Sequence, residues 1–376
     1  MFLVQSIGNI QKPRRVLMIV STIGASGGVQ NTIMNVYRHI DKERVQFDFF
    51  VHAEVEESFE EEITSIGGKV YHPGRVESIG VLHFLRELYK VIKSEDYHAV
   101  HAHTGPTSGI FLFVAMLAGV KIRVAHSHGT STNSRRANRV LSLLRVLIFM
   151  CATERLAASR ESGYFLYKNR SFKVVKNALE TYRFLNLDQG HNLLWRRKIG
   201  ISDDVLVLGH VGRFSPEKNH VFLIRLANTL REKAVPFVMV LVGDGELKTE
   251  IMDLVRHNKL EEYFRFIGTQ REIEKYFAMF DILLLPSTHE GFGNVALEAQ
   301  VARNRVIASH GVSRDTDLGL GLIKFLSLTN IDDWINAILG PWPGTIPTVD
   351  DVLNSLEING FAIGVAVQEY YEIYAV

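Results

Sequence analysis

The stretch Val205-Leu-Val-Leu-Gly-His-Val-Gly-Arg-Phe-Ser-Pro-Glu-Lys-Asn219 reads as a buried strand, a glycine-led turn and the entry to a helix. A short apolar run without polar alternation marks a strand covered on both faces, and so a parallel sheet with helices on each side. The same unit recurs downstream, with helices expected over 221–232, 247–257, 272–279 and 294–302 and strands over 237–242, 264–268, 282–286 and 306–309. Upstream, a strand over 15–20, a glycine turn and a helix over 29–40 open a second series. It continues through 47–52, 59–66, 69–72, 81–94, 99–103 and 108–118, with strand-like runs at 122–126, 155–158 and 172–175. The pattern breaks around Asn177-Ala-Leu-Glu180 and the polar segment 187–191, and two helical runs, 350–356 and 362–374, follow the Pro- and Gly-rich segment Gly340-Pro-Trp-Pro-Gly344. We therefore expect an α/β chain with two Rossmann-like doubly wound domains, 1–185 and 186–358, and a closing segment 359–376.

Composition agrees with two cores and excludes several classes of function. The chain has 376 residues, more than one domain usually holds, and 47% of them are hydrophobic. With 42 basic and 41 acidic residues, a net charge of +1, nothing points to nucleic acid or a globally anionic target. The single cysteine, Cys151, forms no internal disulfide and no thiolate metal site, which suits a reducing cytoplasm. The stretch 1–15 lacks the apolar core of a secretory signal. The apolar runs 110–120 and 141–151 are shorter than the roughly 20 residues that span a bilayer. A cytoplasmic chain, soluble or peripheral, is expected.

In open α/β sheets, ligands bind at the carboxyl ends of the strands, so the loops after strands carry the functional reading. Glu290-Gly-Phe-Gly-Asn-Val-Ala-Leu-Glu298 sets two carboxylates eight positions apart across a loop-to-helix junction. Its amides suit an anion, and its carboxylates accept hydrogen bonds from the hydroxyls of a sugar or ribose. The alternative is that Glu290 caps the helix and Glu298 lies on its solvated face. In Gly212-Arg-Phe-Ser-Pro-Glu-Lys218, Arg213 and Lys218 can point at a diphosphate, or can be ordinary surface charges. Gly243-Asp-Gly-Glu246 is a third turn of this kind. Gly24-Ala-Ser-Gly-Gly28 lacks both the Walker lysine and the full dinucleotide fingerprint. Histidines pair after adjacent strands as His101-Ala-His103 and His126-Ser-His128. Paired histidines suggest metal, but alternating residues at one strand end do not complete a ligand set and no Asp, Glu or Cys cluster adjoins them, so no metal is expected. Arg135, Arg136, Arg139 and Arg145 stud the run 135–151, which is either a solvated helix edge or a face for an anionic membrane.

Taken together, Gly27-Gly28, His126, Arg213 with Lys218, and Glu290 with Glu298 occur in the order found in retaining glycosyltransferase family 4, which the chain resembles over nearly its whole length. The stretch 209–309 looks most like bacterial members that build capsular, exopolysaccharide or lipopolysaccharide units. The resemblance implies the GT-B fold, two Rossmann-like domains facing a central cleft, and a hexosyltransferase that needs neither cofactor nor metal. It implies that Arg213 and Lys218 hold the donor diphosphate, that Glu298 binds ribose and that Glu290 faces the transferred sugar. Phe292, Gly293 and Asn294 would present backbone to sugar and phosphates, with Gly245 near the nucleotide and Gly27 and Gly28 near the diphosphate and acceptor. His126 matches the histidine that approaches the donor sugar, with His128 as the nearby alternative. The donor implied is a UDP-linked hexose or N-acetylhexosamine, and the acceptor a saccharide or lipid-linked saccharide. Two departures stand out: Gly293 replaces a common proline, which suggests a looser loop, and Asn177-Ala-Leu-Glu180 replaces Asn-Gly-Ile-Asp. The rival readings are a nucleotide-sugar epimerase of the same fold and a non-catalytic nucleotide-sugar-binding protein.

Overall fold

The computed structural model describes residues 12–24, 27–53, 55, 57–129, 135–185, 189–270 and 272–376, with backbone alone for 135–141 and 189–193. The expectations for 1–11, for Ala25 and Ser26 and for Leu187 and Asp188 lie outside the described residues, as do the side chains of 189–191 and of Arg135, Arg136 and Arg139.

Two parallel sheets carry the fold. The first contains β1 (Arg14–Val20), β2 (Val45–Val51), β3 (Val70–Tyr71), β4 (Tyr97–Ala102), β5 (Ile122–Ser127), β6 (Glu154–Ala157) and β7 (Lys173–Val174), in the order β3-β2-β1-β4-β5-β6-β7. The second contains β8 (Leu206–Val211), β9 (Phe237–Val242), β10 (Phe264–Gly268), β11 (Ile282–Leu285), β12 (Arg305–Ser309) and β13 (Ile323–Leu326), in the order β10-β9-β8-β11-β12-β13. Side chains alternate between the two faces of each strand. Val16, Met18 and Val20 enter one core while Leu17 and Ile19 enter the other, and Val238, Val240 and Val242 separate from Phe237, Met239 and Leu241 in the same way. Covered on both faces, these strands show the continuous apolar runs from which the sheets were read. In each sheet the strand order reverses beside the first strand, between β1 and β4 and between β8 and β11. The loops leaving those strands splay apart, and a crevice opens at their carboxyl ends.

Two elements of the second half escape the sequence reading. β13 is only four residues long, half-buried, and follows a glycine-broken run. Helix Ile331–Leu339 follows it, with Trp334 fully buried against Phe222 (ring centroids 5.0 Å apart) and its indole N–H donating to the Ser327 carbonyl at 2.9 Å. The end of the chain joins both halves. Helix Val349–Ile358 places Val352 and Leu356 in the core of the second sheet, whereas helix Ile363–Tyr374 places Ala366, Tyr370 and Tyr374 in that of the first. Tyr371 anchors the return, its hydroxyl accepting from the Asp41 amide at 2.8 Å. Burying a side chain of this size contributes roughly 1.5–3 kcal/mol, so the last helix is a structural part of the first half.

Candidate active site

A cleft of about 620 Å³ lies between the two sheets. That falls within the range that encloses a small ligand. Its walls come from both halves. Gly28, Val29 and Asn31 contribute the start of helix Gly28–His39, and Asn294, Val295 and Glu298 the start of helix Asn294–Val301. A β-carbon on Gly28 would lie 3.5 Å from the Asn294 side-chain nitrogen, so the two helix N-termini nearly meet. Both direct unpaired backbone amides and the positive end of the helix dipole into the same space, an arrangement suited to a bound anion.

The loop after β8 delivers the cations. Phe214 is buried and stacked on His220 (centroids 4.1 Å apart), which fixes the middle of the loop. A single turn, Pro216–Lys218, ends at Asn219, whose φ of 55° is tolerable for asparagine and whose amide nitrogen donates to the Pro286 carbonyl at 3.1 Å. Lys218 is thereby held largely buried and forms an ion pair with Glu290. Glu290 also accepts a hydrogen bond from the Ser287 hydroxyl at 2.9 Å. Arg213 is exposed and pairs with Glu246 at 3.0 Å. An exposed pair of this kind is worth about 0–1 kcal/mol, so an incoming phosphate can draw Arg213 away at little cost. The loop after β9 can approach only because residue 243 has no side chain. Gly243 has φ 138°, and a β-carbon there would lie 2.1 Å from the Gly212 carbonyl oxygen.

Glu298 faces the cleft partly exposed, and its carboxylate accepts no hydrogen bond from the described residues. Burial raises its pKa to about 7, an effect only partly offset by Arg183. Phe292 is 5% exposed and packs 5.6 Å from the Phe361 ring, and it also borders the cleft. Gly293 has φ 101°, which proline cannot adopt, and a β-carbon there would press on Val312 at 2.9 Å. This loop therefore follows a path closed to proline at position 293. Asn294 accepts from the Asn177 side-chain amide at 2.8 Å, a hydrogen bond between the two halves. Gly245 lines the cleft beside Gly243, whereas Gly27 is the residue preceding helix Gly28–His39 and is not among the lining residues.

His126 is 1% exposed and does not line the cleft; His128 does. Positions 126 and 128 point the same way from β5, but 128 lies past the strand end and is nearer the crevice. The direction of the strand, already legible in the sequence, was the signal that favoured His128. Its Nε2 meets His103 Nδ1 at 2.9 Å, and burial lowers its pKa to about 4, so it is neutral at pH 7. Arg145 also turns away from solvent, donating to the Phe165 carbonyl at 2.9 Å, and is not part of a basic outer face. The sequence reading missed several lining residues, among them Asn177, Glu180, Arg183, Thr269 and Gln270. Of these, Asn177 and Glu180 stood in a segment read only as an interdomain turn.

Comparison with known proteins agrees with this geometry. Residues 26–163 match the family model described as Glycosyltransferase Family 4, and residues 192–314 the one described as Glycosyl transferases group 1. The chain is 35% identical to the glycosyltransferase named EpsF of Bacillus subtilis (strain 168) over 335 residues, 86% of this chain and 87% of that one. It is 27% identical to the UDP-Gal:alpha-D-GlcNAc-diphosphoundecaprenol alpha-1,3-galactosyltransferase of Escherichia coli, covering 77% of this chain and 78% of that one. Among solved structures, Anabaena Alr3699/HepE in complex with UDP-glucose superposes with a TM-score of 0.79 at 18% identity, covering 96% of this chain and 99% of that one. WaaG, a glycosyltransferase involved in lipopolysaccharide biosynthesis, gives a TM-score of 0.71 at 13% identity, covering 95% and 99%. The two sheets, the cleft between them and these matches make the chain a member of glycosyltransferase family 4 with the GT-B fold.

Proposed function

We propose that this enzyme transfers a hexose or N-acetylhexosamine from a UDP-linked donor, with retention of anomeric configuration, onto a lipid-linked saccharide in cell-surface polysaccharide synthesis. The observation that carries the reading is the Lys218–Glu290 pair and the unpartnered Glu298 in one cleft beneath two helix N-termini. In this reading the diphosphate lies against the helix ends, with Lys218 and Arg213 carrying its charge in place of a metal. The ribose hydroxyls donate to Glu298, and the sugar sits between Glu290 and His128. The bond from the anomeric carbon to the diphosphate oxygen breaks as the acceptor oxygen bonds on the same face, and the acceptor proton passes to the departing diphosphate. Negative charge grows on that leaving group, so prepositioned cations lower the barrier. The Escherichia coli relative supports the choice of donor and acceptor class, since its name specifies both.

Glu298 makes nucleotide binding depend on pH. Burial puts its pKa at about 7, and ribose hydroxyls would stabilise the ionised form, so binding lowers the pKa and releases a proton. Affinity for UDP should therefore rise as pH increases from 6 to 8, and Glu298→Gln should remove that part of the slope. The stability effect runs the other way. A carboxyl whose pKa is raised on folding costs stability as pH climbs above the unfolded value near 4.5, so Glu298→Gln should melt higher than the native chain at pH 8. Titration calorimetry and thermal melts check both. Equal slopes in the two proteins would remove Glu298 from the nucleotide site.

The surface supports a membrane-facing first half. Leu143, Val146 and Met150 on helix Arg135–Cys151 are exposed, as are Phe113 and Leu117 on the adjoining helix Ser108–Leu117. No helix among the described residues is long and apolar enough to cross a membrane. Contact would therefore lie in the interface. The chain should co-sediment with anionic vesicles, and the triple Leu143→Ser, Val146→Ser, Met150→Ser variant should not. Equal recovery of both proteins in the supernatant would overturn this contact.

A further inference from the structure

Four histidines meet beneath the cleft. Ala102 pairs with Ala125 in the register of β4 and β5, which brings position 103 beside 126 and stacks the two His-x-His pairs into one column. Ring centroids are 4.2 Å apart for His101 and His103, 5.2 Å for His103 and His126, and 5.3 Å for His101 and His126. All three side chains are at least nine-tenths buried. Reading each strand alone gave two alternating rings and an incomplete ligand set; the parallel register is what joins the pairs.

The hydrogen bonds fix where the lone pairs fall. His101 Nδ1 meets the Tyr374 hydroxyl at 2.7 Å, His101 Nε2 meets His126 Nδ1 at 3.2 Å, and His103 Nδ1 meets His128 Nε2 at 2.9 Å. The Nε2 atoms of His103 and His126 are buried without any partner. A buried unpaired N–H is the costlier orphan, so we assign the protons to the Nδ1 atoms of all three rings. A bare lone pair then remains on each Nε2, with that of His101 engaged by the His126 N–H.

We propose that His101, His103 and His126 form a binding site for a zinc-class divalent cation. One ring nitrogen from each lies within 4.8 Å of the others, and imidazole nitrogens suit zinc, copper and nickel. Zinc–nitrogen bonds are about 2.0–2.1 Å, so the three rings must draw together to bind the ion. Second-sphere partners are already in place. Tyr374 accepts the His101 Nδ1 proton and His128 accepts that of His103, the support that ligating histidines ordinarily receive. On binding, the His126 ring releases its hydrogen bond to His101, and the fourth coordination position remains for water. The site is separate from the diphosphate grip at Lys218, and it does not depend on the proposed donor or acceptor.

The test uses the full chain, purified without a histidine tag and stripped with chelator. Equilibrium dialysis against Zn²⁺ and the visible absorption of Co²⁺ report binding. The expected result is one ion per chain, an intense tetrahedral Co²⁺ spectrum, a loss of affinity of at least tenfold in His126→Asn, and a loss of roughly tenfold or more in Tyr374→Phe. His83→Gln, on an exposed helix, should bind as the native chain does. If His126→Asn fails to fold, as judged by circular dichroism, Tyr374→Phe keeps the core aromatic and carries the test. No ion retained at micromolar free metal, or retention unchanged in both variants, would overturn the proposal, the latter by assigning the ion to surface histidines.

Discussion

Replacing Lys218 with Ala should lower kcat/KM of sugar transfer roughly 10²- to 10³-fold, about 2.7–4 kcal/mol of transition-state stabilisation, while the fold survives. The charge is held close to where the leaving group would develop its own, in a cleft that partly excludes water. Removing the ammonium also takes from Glu290 its ion-pair partner, so that its carboxylate would face an anionic donor without that compensating charge. The two losses act in the same direction. Lys218→Arg should recover little, because the planar guanidinium cannot occupy the space of a compact ammonium between Gly212 and Glu290. Steady-state kinetics with circular dichroism as the fold check decide the matter. A fall of less than about threefold would exclude Lys218 from the reaction centre.

His128→Ala should slow transfer by roughly 10- to 10²-fold, and His126→Asn should leave the rate per folded molecule within about threefold of native. His128 reaches the cleft and is neutral, with its Nε2 held by His103; its remaining ring nitrogen is the group that can meet a sugar hydroxyl. His126 is shielded beneath it, and its loss should register instead as a lower melting temperature, because the His101 Nε2 contact goes with it. Rates measured per folded molecule in assay buffer with chelator separate the two residues from each other and from any metal effect. The reverse ranking would restore His126 as the residue facing the donor.

These contrasts show what the sequence discloses and what it withholds. The two sheets are legible because parallel strands buried on both faces leave unbroken apolar runs, as in 237–242, where every residue is buried. β13 is not legible, since an edge strand buries little and its run Ile-Lys-Phe-Leu has no distinct period. For the site, the glycines, cations and carboxylates could be placed because loops after strands must converge at the crevice. Their pairing could not. Nothing in the spacing of Lys218 and Glu290 across 72 positions announces an ion pair, and nothing in two His-x-His motifs reveals the register that stacks them. Asn177, which crosses to Asn294, was hidden for the same reason: contacts between halves are properties of three dimensions.

The most direct measurement is release of free UDP or GDP from a panel of nucleotide sugars, with and without a membrane extract, comparing the native chain with Lys218→Ala. The account predicts UDP release from one UDP-hexose or UDP-N-acetylhexosamine, increased by extract and slowed roughly 10²- to 10³-fold in the variant. Tight nucleotide binding with no release from any donor, in the presence of extract, would contradict transfer and leave a nucleotide-sugar epimerase or a non-catalytic binding protein as the reading of this cleft.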